Sequence, residues 1–248
     1  MSNDATIIFD DLWMSFGNHA VYEGVNLEIQ RGETITIIGG SGTGKSVGLK
    51  LLIGLLKPDR GRILFDGQDI VPLSEDELSP IRRKIGMLFQ GAALFDSLTV
   101  GENIAYPLRE HLNLPEKEIE ERIARNLELV GLPGIAEMMP SDLSGGMKKR
   151  VGLARAIAVE PAVILYDEPT TGLDPSNTRR INELIIDMQS KLKVTSIVVT
   201  HDMQSAMTVS NRIAMLYEKR IRSVMSVDEV RASEDSLIRE FIEGKTEN

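Results

Sequence analysis

The chain is 248 residues long, carries a formal net charge of −9 and contains zero cysteines. Its 42% hydrophobic and 26% charged content is that of a soluble globular fold rather than a disordered tail, and the length suits one large domain with a subdomain. The cysteine count excludes a disulfide framework, thiolate metal ligation and thiol nucleophiles; the negative charge repels DNA, RNA and anionic lipid, so no nucleic-acid partner is expected.

Residues 1–10 hold acids and no basic stretch, so they do not read as a secretion signal. Residues 6–9, 25–29 and 33–38 read as strands, with turn signals at Gly17-Asn18 and Arg31-Gly32. A glycine-rich loop follows, and 45–56 then carries apolar residues at helical spacing. A strand at 62–65, the turn Asp66-Gly67, a helix at 75–83 and a strand at 86–89 complete the first part. From 98 to 143 the pattern is helical, most clearly at 116–130, where Ile119, Ile123, Leu127 and Val130 form one stripe opposite the charges. This reads as a helical subdomain inserted at about 91–158 of a single domain, 1–244. Strand signals return at 162–166 and 194–199 around a helical run at 177–192, the βαβ rhythm of a parallel sheet. The tail from 226 reads as short amphipathic helices, with 245–248 frayed. The longest apolar stretches, around 163–166 and 196–199, fall far short of the roughly 20 residues a bilayer span needs. The expectation is a cytoplasmic chain whose membrane role runs through a partner.

Gly39-Gly40-Ser41-Gly42-Thr43-Gly44-Lys45-Ser46 fits G-x-x-x-x-G-K-[ST] between a strand and a helix. Glycines let the backbone N–H groups gather around phosphate oxygens, and the helix start adds a favourable dipole. Lys45 is expected to reach the β- and γ-phosphates of ATP, and Ser46 to offer its hydroxyl to Mg²⁺. The apolar run 163–166 delivers Asp167 and Glu168 at a strand end, where ligands of open parallel sheets gather. Asp167 suits Mg²⁺ and Glu168 suits orienting or deprotonating an attacking water; the plain alternative is a solvated acidic turn. Leu143-Ser144-Gly145-Gly146-Met147 opens a helix over 147–159 with Lys148, Lys149 and Arg150 in its first turn. Cations there oppose the helix dipole, so an anion docking at that end is one reading and a simple cap is the other.

Taken in order, these elements resemble the ATP-binding cassette (ABC) family from Ile7 to about Gly244. The resemblance implies an α/β ABC ATPase fold: an antiparallel β subdomain, a RecA-like core with the phosphate loop, and a helical subdomain bearing the signature. Residues 143–147 match the signature L-S-G-G-Q except at Met147. The resemblance further implies that Phe16 stacks on adenine, with a core phenylalanine as the plain alternative. Gln90 takes the place of the Q-loop glutamine near Mg²⁺, Thr171-Gly172-Leu173-Asp174 that of the D-loop, and His201 that of the switch histidine at the γ-phosphate. Glu168, His201, Gln90 and Lys45 are then the catalytic set. Ser144, Gly145 and Gly146 meet the nucleotide of a second copy, so two chains sandwich ATP head to tail and hydrolysis reopens them.

The run 91–111, with 39–46 and 145–151, resembles the ATPases of the Mla/MCE phospholipid-trafficking systems of double-membraned bacteria. That implies an integral membrane permease, an MCE-domain lipid-binding component, and a place on the inner face of the inner membrane through the permease. An amino-acid, metal or drug transporter is the alternative, and a soluble ABC ATPase of cofactor assembly a further one. Within 91–111, Leu94, Phe95, Leu98, Tyr106 and Leu108 are expected to form the permease docking surface, unless they pack the helical subdomain instead.

Overall fold

The computed structural model describes residues 5–243; the frayed end expected at 245–248 lies outside the described residues. Strands β1 (Ala5–Phe16) and β2 (His19–Gln30) form one long antiparallel hairpin turning at Gly17, whose φ of +59° suits a residue without a Cβ. Both strands are longer than the expected 6–9 and 25–29. The register of β1 shifts between Phe9 and Leu12, with Asp11 at φ +48°, and this bulge breaks the two-residue alternation that marks a strand in sequence. β4 (Arg60–Phe65) and β5 (Gln68–Asp69) complete an antiparallel sheet in the order β2-β1-β4-β5.

The second sheet has the order β10-β9-β3-β8-β7-β6. β3 (Thr34–Ile38), β6 (Ile85–Leu88), β7 (Val163–Asp167), β8 (Thr195–Val199) and β9 (Arg212–Tyr217) run parallel, and β10 (Arg220–Ser226) pairs antiparallel with β9. Sequence reasoning missed β9, β10 and helix α7 (Met203–Val209); most of β9 is buried and lacks the polar alternation that would reveal it. Helix α1 (Lys45–Leu52) stops four residues short of the expected 56. Gly54 adopts φ +68° there, and the N–H groups of Leu55 and Leu56 both turn back to the Lys50 carbonyl, closing the helix.

The remaining helices are α2 (Glu75–Arg82), α3 (Val100–His111), α4 (Glu116–Leu129), α5 (Gly145–Ile157), α6 (Pro175–Leu192), α8 (Val227–Ala232) and α9 (Ser236–Ile242). Capping fixes where they start. Ser74 with Glu77, Thr99 with Glu102 and Ser226 with Glu229 form reciprocal capping boxes, while Asp174 caps α6 ahead of Pro175.

Alternation along the parallel strands divides the core in two. Val163 and Leu165 of β7, with Ile197 and Val199 of β8, join α1 and the antiparallel sheet in one cluster. Ile164 and Tyr166, with Leu88 and Val198, join α3 to α6 in the other. The helices between β6 and β7 therefore share their core with the sheet. α5 lies so close to β6 that a methyl group at Gly86 would come within 2.3 Å of the Ala156 carbonyl oxygen. A third cluster, including Ile38, Met203, Met215, Ile238 and Phe241, lies beneath α7 and the C-terminal helices.

Candidate functional site

Register decides which residues meet. Ile37 of β3 and Asp167 of β7 both pair with Val199 of β8, so these three strands end at one level. Leu88 pairs with Tyr166, which brings the residues after β6 to the same edge. The loop after Ile38, the acids closing β7, His201 after β8 and Gln90 after β6 thus emerge together, as ligand-binding residues do at the carboxyl ends of open parallel sheets. A cleft of about 720 Å³ lies there, lined by Gly39, Gly40, Ser41, Gly42, Gly44, Lys45, Ser46, Gln90, Glu168 and His201.

The loop is confined from two sides. A methyl group at Gly39 would stand 2.7 Å from the Leu216 carbonyl oxygen, and one at Gly44, where φ is +99°, only 2.3 Å from Val21 Cγ1. The buried Tyr22 hydroxyl donates to the Gly44 carbonyl at 2.7 Å, tying the antiparallel sheet to the start of α1. Burial pushes this phenol above its ordinary range. Thr43 faces inward, its hydroxyl donating to Gly40 O at 2.9 Å, and is not part of the cleft lining. Lys45 Nζ donates to the Gly39 and Gly40 carbonyls at 2.9 and 2.8 Å. Burial lowers its pKa, opposed by the carboxylates of Glu168 and Asp167.

Ser46 Oγ donates to Asp167 Oδ1 at 2.6 Å, bringing a hydroxyl and a carboxylate oxygen together beside the loop. These are hard oxygen donors of the kind Mg²⁺ takes. Glu168 is buried and sits at φ +47°. Its N–H donates to Val199 O at 2.8 Å, and its Oε2 accepts from Thr171 Oγ1 at 3.0 Å and Thr200 Oγ1 at 3.2 Å. His201 Nδ1 lies 3.0 Å from the same Oε2, a hydrogen bond when Nδ1 carries the proton.

Other predicted residues stand apart from the cleft within a single chain. Phe16 ends β1 and is 49% exposed, which excludes the core-phenylalanine alternative. Asp174 takes the N–H groups of Ser176 and Asn177. Ser144 caps α5 by accepting from Met147 N at 3.3 Å, Gly145 is exposed, and Gly146 is buried against Asn177. The sequence left an anion or a simple cap at this helix start; the Ser144 bond is such a cap, and two of the three α5 cations turn away from it. Lys149 is buried and donates to Glu168 O at 3.0 Å, while Arg150 Nη1 donates to the Val130 and Gly131 carbonyls. In the 91–111 run Leu108 is fully buried and Leu94 packs against the second core, so those two belong to the interior; Phe95 and Tyr106 are exposed with ring centroids 5.0 Å apart.

Residues 22–171 match the sequence profile of the ABC transporter family. The chain belongs to that family. This ABC cassette is 44% identical over 234 residues to the probable ribonucleotide transport ATP-binding protein mkl of Mycobacterium leprae, covering 94% of this chain and 67% of that protein. It is 40% identical over 245 residues to the intermembrane phospholipid transport system ATP-binding protein MlaF of Haemophilus influenzae, covering 99% and 93%. For MlaF of Escherichia coli K12 the figures are 41% over 234 residues, 94% and 87%. Among solved structures, cbiO1 from Clostridium perfringens, part of the ABC transporter complex cbiONQ, superposes with a TM-score of 0.86 at 32% identity, covering 97% of this chain and 96% of that one. The cassette MJ0796, a dimer in a post-hydrolysis state bound to ADP and Pi, gives 0.82 at 33% identity, covering 89% and 98%. The protein is an ATP-hydrolysing nucleotide-binding subunit of an ABC transporter.

Sequence reasoning did not foresee the roles of four residues that shape this cassette's site. Thr171 and Thr200 hold the Glu168 carboxylate, Lys149 holds its backbone, and Phe241 of α9 lines the cleft. Thr171 opens the named D-loop run and Thr200 precedes His201, so both were within reach of sequence; Phe241, 73 residues after Glu168, carries no local signal.

Proposed function

We propose that this subunit drives the movement of phospholipid between membranes, working as an ATP-sandwich pair on an integral membrane permease at the inner face of an inner membrane, with an MCE-domain lipid-binding component as a further partner. The observation that carries the cargo is the match to MlaF over nearly the whole length of both chains. The relatives named for ribonucleotide transport support a second reading, but the match spans only 67% of their length. Among the described residues no helix is long and apolar enough to cross a membrane; in this reading a permease provides the path.

In this reading the loop amides of 39–44 and Lys45 grip the phosphates. Ser46, Asp167 and Gln90 would hold Mg²⁺, which when bound neutralises phosphate charge. Glu168 orients the attacking water and takes its proton, and His201 reaches the γ-phosphate. Catalysis is then mostly positioning and charge stabilisation. Phe16 supplies the adenine platform, while Ser144, Gly145 and Gly146, with Asp174 nearby, serve the partner copy's nucleotide. Their position outside this chain's own cleft supports assembly in trans.

A groove of about 330 Å³ supports the permease contact. Phe89, Phe95 and Tyr106 line it together with Arg155, so its lining comes from both sides of Gln90 in the chain. Exposed aromatics beside a cation are the usual anchors of a protein partner.

The test is reconstitution of the subunit with its permease in vesicles. ATP-dependent transfer of labelled phospholipid, abolished by Glu168→Gln, is expected. Phe95→Ala or Tyr106→Ala should keep ATP binding while losing the permease. Nucleoside movement without lipid transfer overturns the cargo, and normal permease association by every folded groove variant overturns the docking surface.

A further inference from the structure

One turn into α5, Lys149 points inward instead of toward the helix start. Its side chain is buried, and Nζ donates to the backbone carbonyl of Glu168 at 3.0 Å. Burying an ammonium is unfavourable unless hydrogen bonds and opposite charges repay it, and here Glu168 and Asp167 supply the charge. The bond goes to the peptide of Glu168, whereas the carboxylate has its own partners in Thr171, Thr200 and His201. Lys149 therefore constrains the direction in which the base leaves the backbone.

That backbone is in a conformation that side chains other than glycine's seldom adopt, with φ at +47°. It is held by three bonds: β8 takes the N–H through Val199 O at 2.8 Å, while the carbonyl accepts from the Thr171 N–H at 3.3 Å and, more closely, from Lys149 of α5 at 3.0 Å. Strained dihedrals persist only where the surroundings over-determine them, and of these restraints the Lys149 bond is the one that comes from the helical layer. From Ser144 to Lys149 is about 7.5 Å of helix, too short to bend, so any displacement of the α5 start reaches Lys149 undiminished.

We propose that Lys149 is a positioning residue that makes the geometry of Glu168 depend on the placement of α5, and so couples the partner's nucleotide at Ser144–Gly146 to hydrolysis in this chain's own cleft. The proposal rests on Glu168 acting as the base and on Ser144 working in trans. It deepens that reading by giving each site of the pair a direct link to the other.

Lys149→Met removes the donor and keeps the apolar stem; Lys149→Arg keeps a cationic donor. Steady-state hydrolysis, ATP affinity and ATP-dependent dimerisation are measured for both. Lys149→Met should lower kcat about 10- to 100-fold, the range a small misplacement of a catalytic group produces, while KM stays within about twofold; Lys149→Arg should recover most of the loss. In a cycle with Ser144→Ala, the double variant should be no slower than the worse single one. Unchanged kcat in Lys149→Met overturns the proposal. So does a parallel fall of affinity, stability and kcat that Lys149→Arg does not repair, and fold-losses that multiply in the cycle overturn the coupling. If Lys149→Met does not fold, Lys149→Gln gives the same comparison, and its unchanged kcat is equally decisive. Glu168→Gln, measured alongside, separates the two levels: wild-type turnover there defeats the base assignment itself, whatever Lys149 does.

Discussion

Asn103 is fully buried in α3 and organises the segment that follows Gln90. Its Oδ1 accepts from Phe95 N at 2.8 Å, and its Nδ2 faces the carbonyls of Phe95, Leu98 and Thr99 at 3.1, 3.2 and 2.9 Å. An amide nitrogen has two protons, so three full hydrogen bonds are at stake, with one proton shared. At about 1 kcal/mol net for each bond, Asn103→Ala should cost about 3 kcal/mol locally. The loss should not spread to the ATP cleft. Arg155 independently holds the Ala92 and Ala93 carbonyls at 2.9 and 2.7 Å, so 92–93 stay anchored while the turn carrying Phe95 is released. Amide hydrogen exchange at Phe95 should accelerate about 10²-fold, as that free energy implies, with ATP affinity unchanged and permease association weakened. Asn103→Asp should be no better, because a carboxylate would face three carbonyls without a donor. Unchanged exchange at Phe95, or an equal loss of protection throughout α1 and β3, would refute the claim that Asn103 is the local keystone of this surface.

Two further outcomes are expected. Mixing Ser144→Arg chains with Lys45→Ala chains should restore part of the ATP binding that each homodimer lacks, because the mixed pair holds one intact composite site; strictly additive binding on mixing counts against assembly in trans. The cap carboxylates Glu77, Glu229, Asp174 and Asp235 are held below the ordinary carboxylate range, in each case first by backbone N–H groups at a helix start. Since folding depresses these values, their stabilisation is present above the unfolded carboxylate pKa of about 4 and is lost as pH falls through the folded values. The unfolding midpoint should therefore drop on acidification, less steeply in Glu229→Gln, and an identical acid slope in that variant would contradict the assignment.

The chemistry of the cleft was legible in the chain alone. The glycine-lysine loop, the acids ending 163–167 and the histidine after 195–199 each sit beside an apolar strand, and local covalent spacing is enough to deliver a side chain at a strand end. The helix starts are also local, because a serine, threonine or aspartate cap acts within three residues of itself, yet hydrophobic spacing alone began α5 and α6 two residues late, at 147 and 177 rather than at Gly145 and Pro175. Which strand ends stand side by side is set by long-range pairing: Thr34 of β3 meets Ser196 of β8, and Ile85 of β6 meets Val163 of β7. The tertiary structure alone decided the fate of the α5 cations: their spacing suited an anion at the helix start, yet burial turned Lys149 toward the Glu168 peptide and Arg150 toward the end of α4. It likewise divided the aromatic-rich run, sending Leu108 into the core and leaving Phe95 and Tyr106 outside. Composition records that a side chain is apolar; only the surrounding elements determine whether there is a partner on which to bury it.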